Sequence, residues 1–153
     1  MPEKRNVILV GAGPVGFLTA LGLARQGVEV TILDCEEQVV RSPRAAVYYH
    51  TTLSVLKKLD MIEDAEAIGF PSSTFKMHWP ETGEAVESDM KDALDPGQEF
   101  DHNLHFGQHI LAELVMKHLA QLPNAEVLWS HRVTALVQDD DGVTLTVETP
   151  DGE

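Results

Sequence analysis

At 153 residues the chain has the length of one domain and can bury a core of its own. With 11 Lys+Arg against 25 Asp+Glu, its net charge of −14 disfavours nucleic acid and anionic membrane as partners. The single cysteine excludes an internal disulfide and suits a reducing cytoplasm, and no run of about 18 apolar residues could span a membrane.

Met1–Arg5 leads into an apolar run that Gly11 cuts short, with no cleavage site after it, so no signal peptide is expected. Val7 to Val10 is too short for a helix and rich in β-branched residues, which predicts a buried strand. Gly11-Ala12-Gly13-Pro14-Val15-Gly16 follows with G-x-G-x-x-G spacing. Pro14 fits a first helical turn, where its missing N–H costs nothing. Phe17, Leu18, Ala20, Leu21 and Ala24 recur at helical spacing up to the stop at Gln26-Gly27. A second strand, Val28 to Leu33, ends in Asp34.

Each part of this unit has a chemical reason. Gly11 permits the tight turn, Gly13 admits a pyrophosphate to the backbone, and Gly16, with Ala20 one turn on, allows close helix–strand packing. Pro14 and Val15 open a helix whose free N–H groups and partial positive charge favour phosphate. Asp34 stands where a carboxylate can accept both ribose hydroxyls of an adenosine. A glycine-rich turn without a ligand is the plain alternative, but the strand before, the helix after and the acid at the next strand's end favour a dinucleotide. Neutral Cys35 and acidic Glu36 and Glu37 disfavour a 2′-phosphate, which leaves NAD or FAD.

Glu36 to His50 reads as a loop carrying Arg41-Ser42-Pro43-Arg44. Its arginines either reach cofactor phosphates or the flavin edge, or are solvent-facing charges. Thr51 to Leu59 is a predicted helix with Thr51 or Thr52 as its N-cap, and Met61 to Ile68 a second, stopped by Gly69 and Pro71. Thr74 to Trp79 alternates as a strand, with Phe75, Met77 and Trp79 on one face. Pro80 to Gly83 turns the chain and Glu84 to Glu87 returns. Ser88 to Gln98 reads as loop.

Gly107 to Leu122 is a helix with an apolar stripe of Ile110, Leu111, Leu114, Val115, Leu119 and Leu122. Ala125 to Trp129 suits a third parallel strand. Arg132 to Gln138 and Val143 to Glu148 form a hairpin around Asp139-Asp140-Asp141-Gly142. That loop is too short for a calcium hand and lacks its later glutamate. His102, His105 and His109 have no cysteine nearby and only loosely spaced acids, so they read as polar residues at a helix start and no metal is expected. Thr149 to Glu153 is a turn signal with no returning strand, which suggests a piece of something longer.

The sequence resembles, over nearly its whole length, the N-terminal part of FAD-dependent aromatic hydroxylases of the p-hydroxybenzoate hydroxylase type. Four pieces carry the likeness in order: GAGPVGFLTALGLARQGVEVTILD, the SPRA segment leading into a helix, FGQHILAELVMKHL, and the strand and hairpin ending TPDGE. The resemblance implies an α/β, Rossmann-like FAD-binding fold with a parallel sheet, a β-meander and the first strands of a substrate-domain sheet. Residues 1–153 would form one truncated FAD-binding domain, with 71–100 an insertion toward the substrate domain. It implies FAD on Gly11, Gly13, Pro14, Val15, Gly16 and Asp34, with Arg44 reaching it from the loop, Gln108 near the ribityl chain and Val133 by the adenine through its backbone. NAD(P)H would be co-substrate and a small phenolic ring the substrate. Catalytic residues are not implied.

The pattern departs from the family in two residues: glutamate is usual at Asp34 and glycine at Asp60. The family's downstream Gly-Asp segment and its remaining substrate sheet lie outside these residues, so the chain alone is expected to hydroxylate poorly. Two other readings stay open. One is an NAD-binding dehydrogenase domain. The other is a non-catalytic dinucleotide-binding fragment, whose uncovered apolar surface would self-associate or need a complementing chain.

Overall fold

The computed structural model describes residues 6–42, 44–95, 97–140 and 142–152. In chain order its elements are β1 (Asn6–Val10), α1 (Pro14–Arg25), β2 (Glu29–Leu33), β3 (Val47–Tyr48), α2 (His50–Lys58), α3 (Ile62–Ile68), β4 (Phe70–Ser72) and β5 (Thr74–Trp79). There follow β6 (Glu84–Asp89), α4 (Met90–Ala93), β7 (Asn103–His105), α5 (Gln108–Leu119), β8 (Ala125–Leu128), β9 (Arg132–Gln138) and β10 (Val143–Glu148). The chain divides into two compact units, Met1–Ser42 with Gln108–Glu153, and Pro43–Gly107.

In the first unit, β1, β2 and β8 form a parallel sheet with β2 in the middle. Val7 and Leu9 of β1 lie beside Val30 and Ile32 of β2, and these rows continue to Ala125 and Val127 of β8. Val30, Ile32 and Leu33 are buried, as are Phe17, Ala20, Leu21 and Ala24 of α1. Helix α1 packs on the sheet and α5 packs on α1, with Leu111, Leu114, Val115 and Leu119 buried. The expectation of a buried β1 is corrected: Ile8 is 45% and Val10 61% exposed. Strand alternation sends these two to the face opposite the Val7–Leu9 row, and only the latter is packed.

Helix α5 is shorter than its apolar stripe. Beyond Leu119 the bonds tighten: Gln121 and Leu122 N–H donate to the carbonyls three residues back. The β9–β10 hairpin forms as read, with a register shift that leaves Thr134 unpaired between Val133 and Ala135. In its turn Asp139 N–H donates to Gly142 O (3.0 Å), and Gly142 N–H returns to Asp139 Oδ1 (3.0 Å). Asp141 lies outside the described residues.

In the second unit, β3, β7 and β4 make an antiparallel sheet, and β5 pairs with β6 as a separate hairpin. Strands β3, β4 and β7 and helix α4 lie in stretches read as loop or left without an element. Helix α2 begins at His50 behind Tyr49, which makes no side-chain cap, so the expected threonine cap is corrected. It ends as a glycine would end it: Asp60 takes φ +41° itself. Leu53, Leu56, Met61, Ala65 and Leu104 form the core of this unit, and Tyr48 stacks on Phe106 at 4.4 Å. Burial pushes the Tyr48 hydroxyl up to about 12, so it stays neutral.

Candidate functional site

The first unit brings the glycine loop and Asp34 together at the carboxyl end of the parallel strands, where ligands of open α/β sheets bind. Gly11 N–H donates to Leu33 O at 2.7 Å, extending the β1–β2 pairing into the loop. Gly11 then takes φ +104°, a conformation side-chain-bearing residues rarely adopt. The chain reverses into α1 with Gly13 as N-cap and Pro14 in the first turn, closed by Phe17 N–H on Gly13 O at 2.9 Å. The N–H groups of Val15 and Gly16 lie in that opening turn, which an α-helix leaves without intrahelical partners. The Val15 side chain is 80% exposed.

The three glycines differ in what requires them. A Cβ on Gly16 would lie 2.0 Å from Gly11 O, so packing requires glycine there. At Gly11 the backbone requires it. At Gly13 neither does: φ is −77°, and an added Cβ meets nothing within 4 Å. The space over Gly13 is open.

Asp34 leaves the tip of β2 with both carboxylate oxygens engaged. Oδ2 accepts Ala12 N–H of the glycine loop at 2.6 Å, and Oδ1 accepts Glu36 N–H at 2.9 Å. Each oxygen retains a further acceptor position. The loop after it, Cys35 to Arg41, lines a cleft of about 410 Å³, and Cys35 is free and exposed. Arg41 is exposed and pairs with Glu113 of α5 at 2.8 Å, which fits the reading of a solvent-facing charge.

Val133 is the second residue of β9, two positions after His131, whose N–H donates to Asp34 O at 2.8 Å. Gln108 opens α5. Arg44 is exposed on the irregular segment before β3 in the second unit, and Pro43 beside it lies outside the described residues. Sequence reasoning missed Ala12, whose N–H meets the acid, and the Trp129–His131 turn. Neither carries a side-chain signal, since both act through the backbone. Among the described residues no group of three or more His, Cys, Asp or Glu could hold a metal ion, and no helix is long and apolar enough to cross a membrane.

A family model described as an FAD binding domain matches residues 4–153. The chain belongs to that family. This FAD-binding domain is 41% identical over 133 residues to 6-hydroxy-3-succinoylpyridine 3-monooxygenase HspB of Pseudomonas putida, covering 87% of this chain and 34% of the relative. It is 34% identical over 154 residues to para-nitrophenol 4-monooxygenase of a Pseudomonas species, covering 99% of this chain and 38% of that one. The crystal structure of p-nitrophenol 4-monooxygenase PnpA from Pseudomonas putida superposes with a TM-score of 0.87 at 32% identity, over 97% of this chain and 38% of the other. The FAD-binding domain thus spans between about a third and two fifths of the length of these relatives. The match to an FAD-binding family leaves the NAD-dehydrogenase reading without support.

Proposed function

We propose that this chain holds FAD as the cofactor-binding portion of a monooxygenase that hydroxylates a small phenolic ring with NAD(P)H and O₂. The observation that carries the proposal is the pairing of an open approach over Gly13 with a carboxylate fixed 2.6 Å from the same loop's Ala12 N–H. Neither conformation nor packing within the chain calls for glycine at position 13, so its use there fits a group that comes from outside. The relatives' names, monooxygenases of a hydroxylated pyridine and of p-nitrophenol, support the substrate class.

Gly11, Gly13 and Gly16 would hold the pyrophosphate, with the N–H groups of Val15 and Gly16 facing it behind Pro14 and the helix dipole favouring its charge. Asp34 would accept the ribose hydroxyls. Val133 would lie by the adenine, Gln108 near the ribityl chain, and Arg44 would reach the cofactor from the loop after β2. Oxygen activation and ring hydroxylation are chemistry that a bound flavin supplies, and these residues bind and orient it. The β5–β6 hairpin would be the start of the substrate-side sheet. A cytoplasmic location suits the exposed thiol of Cys35.

The test is to titrate the purified chain with FAD and with NAD in separate experiments, following flavin and tryptophan fluorescence. FAD is expected to bind and NAD to give no response at the same concentrations. Tight NAD binding with no FAD response would overturn the proposal. The chain by itself should hydroxylate poorly, and robust turnover would contradict the view that further sequence completes the site.

A further inference from the structure

One backbone feature beside the acid is unusual. Ser130, between β8 and β9, has φ +58°, a left-handed conformation that is unfavourable for a non-glycine residue. Nothing in a serine side chain requires it. Its consequence is that two successive N–H groups point toward the end of β2. Ser130 N–H donates to Glu36 O at 2.8 Å, and His131 N–H donates to Asp34 O at 2.8 Å. Asp34 N–H in turn donates to Leu128 O at 3.1 Å. The Asp34 carbonyl and that of Glu36, two residues on, are therefore both anchored to the β8–β9 turn. The turn is itself braced: His131 Nδ1 donates to Trp129 O at 2.7 Å, and the Trp129 ring meets Phe17 of α1 edge-on at 6.2 Å.

We infer that the Trp129–Ser130–His131 turn is a positioning device for Asp34. By holding Asp34 O and Glu36 O it fixes the backbone from which the carboxylate reaches Ala12 N–H and Glu36 N–H, and so sets where that carboxylate meets a sugar. This rests on the proposal that Asp34 grips the ribose. Backbone strain persists where surrounding structure over-determines it, and such residues cluster at ligand sites. Here three backbone hydrogen bonds between the stretch after β2 and residues 128–131, one of them made by Ser130 itself, and an aromatic contact hold the turn. Among the described residues, the groups that bond the Asp34 carboxylate oxygens are both backbone N–H, so its placement follows the backbone.

The experiment is calorimetric titration of the purified chain with ADP, which carries the adenosine and diphosphate alone. Ser130→Val forbids the left-handed conformation, since β-branched residues adopt it least. Ser130→Gly permits it freely. Ser130→Val should weaken ADP binding about tenfold, and Ser130→Gly should leave it within about twofold. Asp34→Asn should weaken ADP on its own, and Ser130→Val added to Asp34→Asn should cost less than about twofold more, because the turn acts through the acid. Equal losses on both backgrounds would overturn the inference while leaving the ribose grip intact. No loss in Asp34→Asn would overturn the grip and the inference with it. If far-UV circular dichroism shows Ser130→Val unfolded, Ser130→Ala takes its place, with a smaller loss in the same direction.

Discussion

A methyl group at position 16 would meet the Gly11 carbonyl oxygen at 2.0 Å, while one at position 13 would meet open space. The two substitutions should therefore separate stability from binding. Gly16→Ala must push the α1 start away from the β1 end, an overpacking that costs about 1–3 kcal/mol. Gly13→Ala should change stability by less than about 0.5 kcal/mol, as a surface substitution does. It should nonetheless weaken FAD, because the methyl group fills the approach to the backbone. Urea unfolding and FAD titration of both variants check this, and equal destabilisation by the two would contradict it. The glycine spacing was legible in the sequence because each glycine has a local consequence. Ser130 was not, since its positive φ comes from the partners of its neighbours and nothing in the residue type announces it. Asp60 lies between these cases: comparison with the family's glycine marked the position, and the structure shows the aspartate taking the glycine's conformation.

Helix α1 and strands β2 and β8 are stitched by one side chain. Asn124 Nδ2 donates to Ala24 O at 2.8 Å and to Val28 O at 2.7 Å, while the Asn124 backbone carbonyl accepts Val30 N–H at 2.9 Å. It spans the α1–β2 connection from the start of β8. Asn124→Ala should cost about 1–3 kcal/mol by taking the side-chain donor from Val28 O and from Ala24 O, the latter keeping its bond from Gly27 N–H. Asn124→Asp should cost at least as much, since a carboxylate has no N–H to offer either carbonyl. Chemical denaturation of both variants checks the order, and an Asp variant as stable as the parent would refute the role. Long elements were readable for a matching reason. The α1, α5 and β9–β10 patterns run long enough for a period to emerge, whereas β3, β4 and β7 have only two or three residues each and give no alternation to count. The sheet they build comes from pairings of Val47 and Phe70 with His105, contacts between positions far apart in the chain.

Taken as a whole, the chain distributes its burial unevenly. Strand β2 is paired on both edges, and its Val30, Ile32 and Leu33 are at most 5% exposed. The β5–β6 hairpin is a two-stranded sheet, with Phe75 61%, Met77 45%, Trp79 40% and Val86 58% exposed. Met77 and Val86 are cross-strand partners, so this apolar face is continuous, yet among the described residues it stays exposed, without the packed layer that a hairpin needs for stability in water. Amide exchange should report the contrast. Opening free energies run from near zero in weakly packed segments up to the global value in core strands. The Val30 and Ile32 amides should thus exchange only with global unfolding, and those of β5 and β6 at least about a hundredfold faster. Denaturant sharpens the test: low urea should leave the hairpin rates nearly unchanged, because their opening exposes little new surface, while the β2 rates rise steeply. Hairpin amides as protected as those of β2 would mean that something packs against Phe75 and Val86 in solution, and the same measurement at a tenfold lower protein concentration would show whether it is a second copy of the chain.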